Sequence, residues 1–180
     1  GNEIIPLKYE NVRSFSEGMA CVQYNLSWGF IDKKGSEVIP IKFDSVGSFS
    51  QNLAGVCLDG ICWYIDKNEV AIMPSVFNAV GIFSDGLAAV RFDKKCFLGF
   101  IDKTGNVVDF YKQEFFKRDS DSEALSSFSE GFAAFSGSYF GYGFIDKNGK
   151  VVIKPKGNYA RNFSGGLSLT GQCLGRFYID

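Results

Sequence analysis

Apolar residues along this chain fall in short runs separated by clusters of Ser, Asp, Asn and Gly. Runs of this kind, bounded by turn formers, predict β-strands. The helical spacing i, i+3, i+4, i+7 is not sustained over any window of about 11 residues. The segment 111–127 comes nearest, with Tyr111, Phe115 and Phe116 on one face of a helical turn. Asp59-Gly60 predicts a two-residue hairpin, because such a turn needs positive φ and Gly supplies it. Leu58 then opposes Ile61, Cys57 opposes Cys62 and Val56 opposes Trp63. One face of that hairpin carries Ala54, Val56, Leu58, Ile61, Trp63 and Ile65, and the other Leu53, Gly55, Cys57, Cys62, Tyr64 and Asp66. Neither face is polar throughout, so the hairpin is expected to be covered on both sides or nearly so.

The pattern repeats. Phe30-Ile31-Asp32-Lys33 returns as Tyr64-Ile65-Asp66-Lys67, Phe100-Ile101-Asp102-Lys103 and Phe144-Ile145-Asp146-Lys147, and the chain closes on Tyr178-Ile179-Asp180. The isoleucine steps are 34, 36, 44 and 34 residues. A second landmark keeps the beat: Phe15-Ser16-Glu17-Gly18, Phe49-Ser50-Gln51-Asn52, Phe83-Ser84-Asp85-Gly86, Phe128-Ser129-Glu130-Gly131 and Phe163-Ser164-Gly165-Gly166. Its Ser-acid-Gly composition marks a turn. A repeat therefore reads as an apolar strand such as Glu37–Phe43, this turn, a second strand, a short loop, and the Phe-Ile-Asp strand. Asp32-Lys33-Lys34-Gly35, Asp102-Lys103-Thr104-Gly105 and Asp146-Lys147-Asn148-Gly149 close it with Gly in the left-handed position, while Asp66-Lys67-Asn68-Glu69 forces Asn68 or Glu69 into that region. The expected units are roughly 1–34, 35–68, 69–104, 105–148 with an insertion near 109–127, and 149–180. One unit of 34 residues cannot bury its own apolar surface, so neighbours must stack. The fold expected is all-β: a tandem array of about five antiparallel β-hairpin repeats in an elongated, solenoid-like stack. A closed propeller-like ring is the alternative, for which 34 residues is short against about 40–45 per four-stranded blade. The chain starts and stops in one repeat phase, which fits a segment of a longer array or a closed ring, the segment being expected.

Ser27-Trp28-Gly29-Phe30-Ile31-Asp32-Lys33-Lys34-Gly35, followed by Val38-Ile39-Pro40, resembles the WG repeat family, also called KWG repeats. Leu98-Gly99-Phe100-Ile101-Asp102 and Tyr142-Gly143-Phe144-Ile145-Asp146 match with the Trp replaced. Cys62-Trp63-Tyr64 departs, with Trp where Gly is expected, and Arg176-Phe177-Tyr178 is weaker still. The resemblance spans the chain. It implies a bacterial source and a repeated β module, often beside other domains, with no catalytic residues.

Composition narrows the chemistry. Histidine is absent, which removes His-based triads, dyads, metal ligands and pH switches. The net charge of −1 gives no field to attract nucleic acid or anionic lipid, and the basic residues are dispersed. No run is long enough for a membrane-spanning helix. The turn aspartates Asp32, Asp66, Asp102 and Asp146 are expected to cap their own turns with the lysines solvated, because a calcium site needs several oxygens converging on one point. Glu17, Asp85 and Glu130 share one repeat position that is Gln51 or Gly165 elsewhere, so a structural turn role is expected rather than paired-carboxylate chemistry. Cys21, Cys96 and Cys173 are expected as isolated buried thiols. Cys57 and Cys62 oppose each other in a non-hydrogen-bonded position, where Cα atoms lie about 4.5 Å apart. Reduced, packed thiols are favoured, as in a cytoplasmic protein; an exported chain would form a labile cross-strand disulfide.

These readings exclude an enzyme and require no cofactor. The function expected is a non-catalytic binding module, a scaffold for a protein or peptide partner. Glycan or peptidoglycan binding through exposed aromatics is the alternative, since the chain carries 19 Phe, 8 Tyr and 2 Trp. An accessory repeat region of a larger enzyme or effector is the third. Partners exclude nucleic acid and membrane insertion. The candidate binding surface is the insertion, with Phe110, Tyr111, Phe115 and Phe116 beside Lys117 and Arg118.

Overall fold

A computed structural model describes residues 5, 8–73, 77–92, 98–108, 126–137, 141–157, 159–172 and 175–179. Every element among them is a strand, and the strand pairings among them are antiparallel. The chain divides into two units, Gly1–Phe83 and Ser84–Asp180. In the first, β1 (Asn11–Val12), β2 (Met19–Tyr24), β3 (Ser27–Asp32) and β4 (Glu37–Phe43) form one sheet in that order. β5 (Ser45–Val46), β6 (Ala54–Leu58) and β7 (Ile61–Ile65) form a second, and β8 (Ala79–Val80) follows. In the second unit, β9 (Leu87–Arg91), β10 (Leu98–Asp102) and β11 (Val107–Val108) lie side by side. β12 (Phe132–Gly137), β13 (Gly141–Asp146) and β14 (Val151–Gly157) form the next sheet, and β15 (Tyr159–Ala160), β16 (Ser168–Gln172) and β17 (Gly175–Ile179) the last.

The sheets run out of phase with the repeat as read from the landmarks. Glu37–Phe43 opens a repeat in sequence, yet β4 closes the preceding sheet by pairing with β3. Asp32 turns the chain through Gly35 (φ 82°) directly back along β3, so the shortest available partner takes the strand.

Gly in the Trp-Gly pair has a steric cause. A Cβ on Gly29 would stand 2.8 Å from the Ile39 carbonyl oxygen, and one on Gly143 2.6 Å from that of Ile153. The fourth strand crosses there, and the β3–β4 and β13–β14 ladders both shift register at that point. In the second sheet Trp63 takes this place. Among the described residues the following segment meets β7 only at two isolated bridges, Cys62–Phe77 and Ile65–Ala71. The indole instead packs edge-on against Phe43, with centroids 6.0 Å apart.

The predicted hairpin is present residue for residue: Leu58–Ile61, Cys57–Cys62, Val56–Trp63 and Ala54–Ile65. Its Ala54-Val56-Ile65 face packs on Met19, Cys21, Phe30, Ile39 and Phe43 of the first sheet. The same two faces meet in the second unit, where Ala133, Phe135 and Ile145 lie against Leu87 and Phe100. The insertion near 109–127 falls almost wholly outside the described residues, and so do its helical turn and the six candidate residues Phe110, Tyr111, Phe115, Phe116, Lys117 and Arg118.

Ile31, Ile65, Ile101 and Ile145 are all buried, as stacking requires. Ile101→Ala is therefore expected to cost about 2–5 kcal/mol, the range for a large-to-small change in a packed core. Urea unfolding would measure it, and a change near zero would contradict the stacking.

Candidate functional site

Each Phe-Ser-acid-Gly element is a two-residue turn with both central residues at positive φ: Glu17 and Gly18, Asp85 and Gly86, Glu130 and Gly131. The backbones of Ser16 and Met19 exchange both hydrogen bonds across it. This is the type I′ geometry, and Gly at the second position takes a φ that strains any residue with a Cβ. Asn52 stands in for Gly at φ 68°, since Asn tolerates the left-handed region.

The side chains of this turn reach the next repeat. Ser16 Oγ donates to the Phe49 carbonyl at 2.6 Å, Ser50 to Phe83 at 2.7 Å, Ser84 to Phe128 at 2.6 Å and Ser129 to Phe163 at 2.8 Å. The acid beside each Ser accepts from the next turn's backbone: Asn52 N donates to Glu17, Gly131 N to Asp85, and Gly165 N and Gly166 N to Glu130. Lys67 and Lys147 of the Asp-Lys turns pair with Glu17 and Asp85. The ring of each acceptor Phe meets the aromatic of the preceding Phe-Ile-Asp strand: Phe30–Phe49, Tyr64–Phe83, Phe100–Phe128 and Phe144–Phe163, with centroids 4.7–5.0 Å apart and edge-to-face. Glu17, Asp85 and Glu130 are thus inter-repeat clamps. Their structural role was legible in the sequence; their partners in the next repeat were not.

The other acids act locally. Asp32 Oδ1 accepts from Lys34 N and Ser36 N, and Asp66, Asp102 and Asp146 repeat the arrangement. The Ser36 and Val70 amides hold Asp32 and Asp66 below the usual carboxylate range. Asp102 is pulled to about 2, chiefly by the Thr104 hydroxyl and then by Asn106. Among the described residues no group of three or more Cys, Asp or Glu is placed to hold a metal ion.

Cys57 and Cys62 are disulfide-bonded, with Cα atoms 4.0 Å apart. This replaces the reduced pair expected from the sequence. Their backbone groups point outward to Asp44 and Phe77, so the pair is non-hydrogen-bonded and its sulfurs are within bonding reach. Cys21 is a buried free thiol whose pKa burial pushes up, as an inert core cysteine requires; Cys96 and Cys173 lie outside the described residues.

Open surfaces among the described residues include two of interest. A cleft of about 290 Å³ lies on the first sheet, walled by Tyr9, Val12, Arg13 and Phe15 over Ala20, Val22 and Ile31. Arg13 donates to the Val46 carbonyl at 2.6 Å and lies over the Trp28 ring. Val38, Ile72 and Val152, one position of the repeat, are exposed near the start of the fourth strand or its counterpart. Glu37 is exposed beside Val38, and Lys42 pairs with Glu69 nearby.

Ser84→Ala is expected to cost about 1–3 kcal/mol by leaving the Phe128 carbonyl without its donor. Ser164→Ala, which removes no such bond, should stay within about 0.5 kcal/mol. Equal losses in denaturant unfolding would contradict the inter-repeat role. Asp32, Asp66 and Asp102 are more acidic folded than unfolded. Their contribution is therefore complete above the unfolded value of about 3.9 and is lost as pH falls through the folded one. A carboxyl NMR titration of Asp102 should show a midpoint of about 2.

The comparisons agree with this construction. The computationally designed Ika8 protein is similar over 93% of this chain and 57% of its own, at 12% identity and a TM-score of 0.57. The WD40 β-propeller domain of Doa1 is similar over 92% and 62%, at 15% identity and a TM-score of 0.51. KlHsv2 with loop 6CD replaced by a Gly-Ser linker is similar over 93% and 60%, at 10% identity and a TM-score of 0.54. The chain thus spans about three fifths of these proteins, and at such identities the likeness is one of fold. No curated protein matches the sequence. The profile of the WG containing repeat matches residues 1–25, 28–60, 64–96 and 142–170, well over half of the chain. The protein belongs to the WG repeat family.

Proposed function

We propose that the chain is a non-catalytic binding module, a scaffold that holds a protein or peptide partner. The observation that carries this reading is the exposed aliphatic position repeated at Val38, Ile72 and Val152. In the first unit Glu37 is exposed beside Val38, and Lys42 of the same strand pairs with Glu69, three residues before Ile72. Apolar contact with a polar rim is the composition of a protein-binding surface. The acids with defined partners serve turns and clamps, which supports a non-catalytic reading. Membership of a repeat family and a fold shared with β-propellers support the same reading.

Glycan binding draws less support. The exposed large aromatics among the described residues are Phe15 and Tyr24, which occupy different positions of the repeat. A sugar ladder would place ring faces at equivalent positions.

The test uses the full chain with a photo-crosslinking residue at Val38 or at Ile72, and at exposed Lys34 as control. The same partner should be captured from positions 38 and 72 and not from 34. Val38→Asp with Ile72→Asp should weaken its binding by about tenfold or more, the effect of losing central apolar contacts. Capture no greater than from position 34, or retention on a glycan array that Tyr24→Ala abolishes, would overturn the reading.

A further inference from the structure

The disulfide between Cys57 and Cys62 occupies a place where the other repeats carry no cysteine pair. The equivalent cross-strand pairs are Gln23–Trp28, Arg91–Leu98, Ser136–Tyr142 and Gly171–Arg176. Each starts four residues beyond Met19, Leu87, Phe132 or Leu167, as Cys57 does beyond Leu53. The same register is thus made in every other repeat without sulfur.

The second repeat also holds its hairpin by other means. Leu58–Ile61 pairs on one side of the bond, and Val56–Trp63, Gly55–Tyr64 and Ala54–Ile65 on the other. Asp59 N donates to the Asp44 carboxylate at 2.7 Å, and Asp44 N donates to the Cys57 carbonyl at 2.9 Å. Cys62 and Phe77 exchange both backbone hydrogen bonds, at 2.7 and 2.8 Å. The bonded residues are only five apart in sequence. So short a loop has little entropy to lose in the unfolded chain, which puts this crosslink at the weak end of the range. What a crosslink does not add to folding it does not gain, by the same thermodynamic cycle, in resistance to reduction. The folded chain therefore protects this bond little more than the unfolded chain does. Its two sulfurs differ in access: Cys57 is half-buried, whereas Cys62 is 3% exposed.

We infer that Cys57–Cys62 is a thiol–disulfide exchange site, reduced by an external dithiol while the fold stays intact. A thiolate of the dithiol attacks Cys57 Sγ, the S–S bond breaks, and Cys62 leaves and takes a proton from water. The second thiolate of the dithiol then attacks its own sulfur in the mixed disulfide and releases Cys57, which is protonated in turn. The dithiol gives up two electrons and two protons and closes to a disulfide, and the cysteine pair gains them. The hairpin in this way registers the thiol–disulfide poise around it.

The tryptic peptide 43–67 carries both cysteines and no other, so alkylation and mass spectrometry read the pair alone. The full chain, oxidised with glutathione disulfide, should give this peptide as the internal disulfide. Titration with reduced and oxidised dithiothreitol should then open the bond in the folded chain, with the circular dichroism of the strands kept. The ratio at half-reduction should lie within about 30-fold of that for the chain unfolded in urea, the most that a loop this short supplies. A larger gap, loss of the strand spectrum on reduction, or a pair that does not oxidise would each overturn the proposal. Two variants locate the attacked sulfur, and the wild-type titration stands without them. Glutathione disulfide should label peptide 43–67 about tenfold or more faster in Cys62→Ser, which leaves Cys57, than in Cys57→Ser. Equal rates or the reverse order would overturn the assignment of Cys57.

Discussion

The carbonyl of the turn phenylalanine is the point on which the rest depends. It sits at a tight turn, faces the neighbouring repeat, and is within reach of one hydroxyl. A Ser from the preceding turn supplies it at each described junction, from Phe49 to Phe163. The ring on the same residue is held by the preceding Phe-Ile-Asp aromatic, and the amides that follow are held by the preceding acid in three of the four junctions. One residue thus joins hydrophobic, aromatic and hydrogen-bonding contacts. A buried carbonyl left unpaired carries a desolvation penalty, so the stacked sheets cannot slide apart without losing all three together.

Acidic residues divide between two jobs by position. In the Asp-Lys turns the carboxylate folds back on amides two and four residues ahead, which fixes the loop and nothing beyond it. In the Phe-Ser-acid-Gly turns the side chain leaves its own loop, because both central residues are left-handed and point it toward the next repeat. The first job falls to Asp at all four positions, Asp32, Asp66, Asp102 and Asp146. The second accepts Glu or Asp, and Gln51 or Gly165 elsewhere.

Much of this was legible from spacing. The Asp59-Gly60 turn settled the register of Cys57 against Cys62, and the absence of Gly after Asn68 sent either Asn68 or Glu69 to the left-handed region, where Glu69 is found at φ 64°. The serine clamp was hidden because Ser16 looks like any turn former; its acceptor lies 33 residues away, and no local pattern points there. The need for Gly29 was equally hidden, since it arises from the backbone of a strand that has yet to cross. The bond between Cys57 and Cys62 depends on chemistry beyond the register that brings them together. The aromatics at 110–116 invited a binding role from composition, whereas the exposed aliphatics Val38 and Ile72 look like ordinary strand residues until their burial is known.

The offset between sequence unit and sheet has a consequence for how such a protein changes length. Because Glu37–Phe43 closes the sheet before it, no cut at a landmark boundary yields a finished sheet. A deletion or duplication of one whole period, beginning at any residue, nevertheless returns every strand to an equivalent neighbour. Gene segments can therefore be gained or lost at many breakpoints and still encode closed ladders, whereas a slip of a few residues leaves one strand without its partner. Selection on the array then acts on the number of periods more readily than on their internal phase.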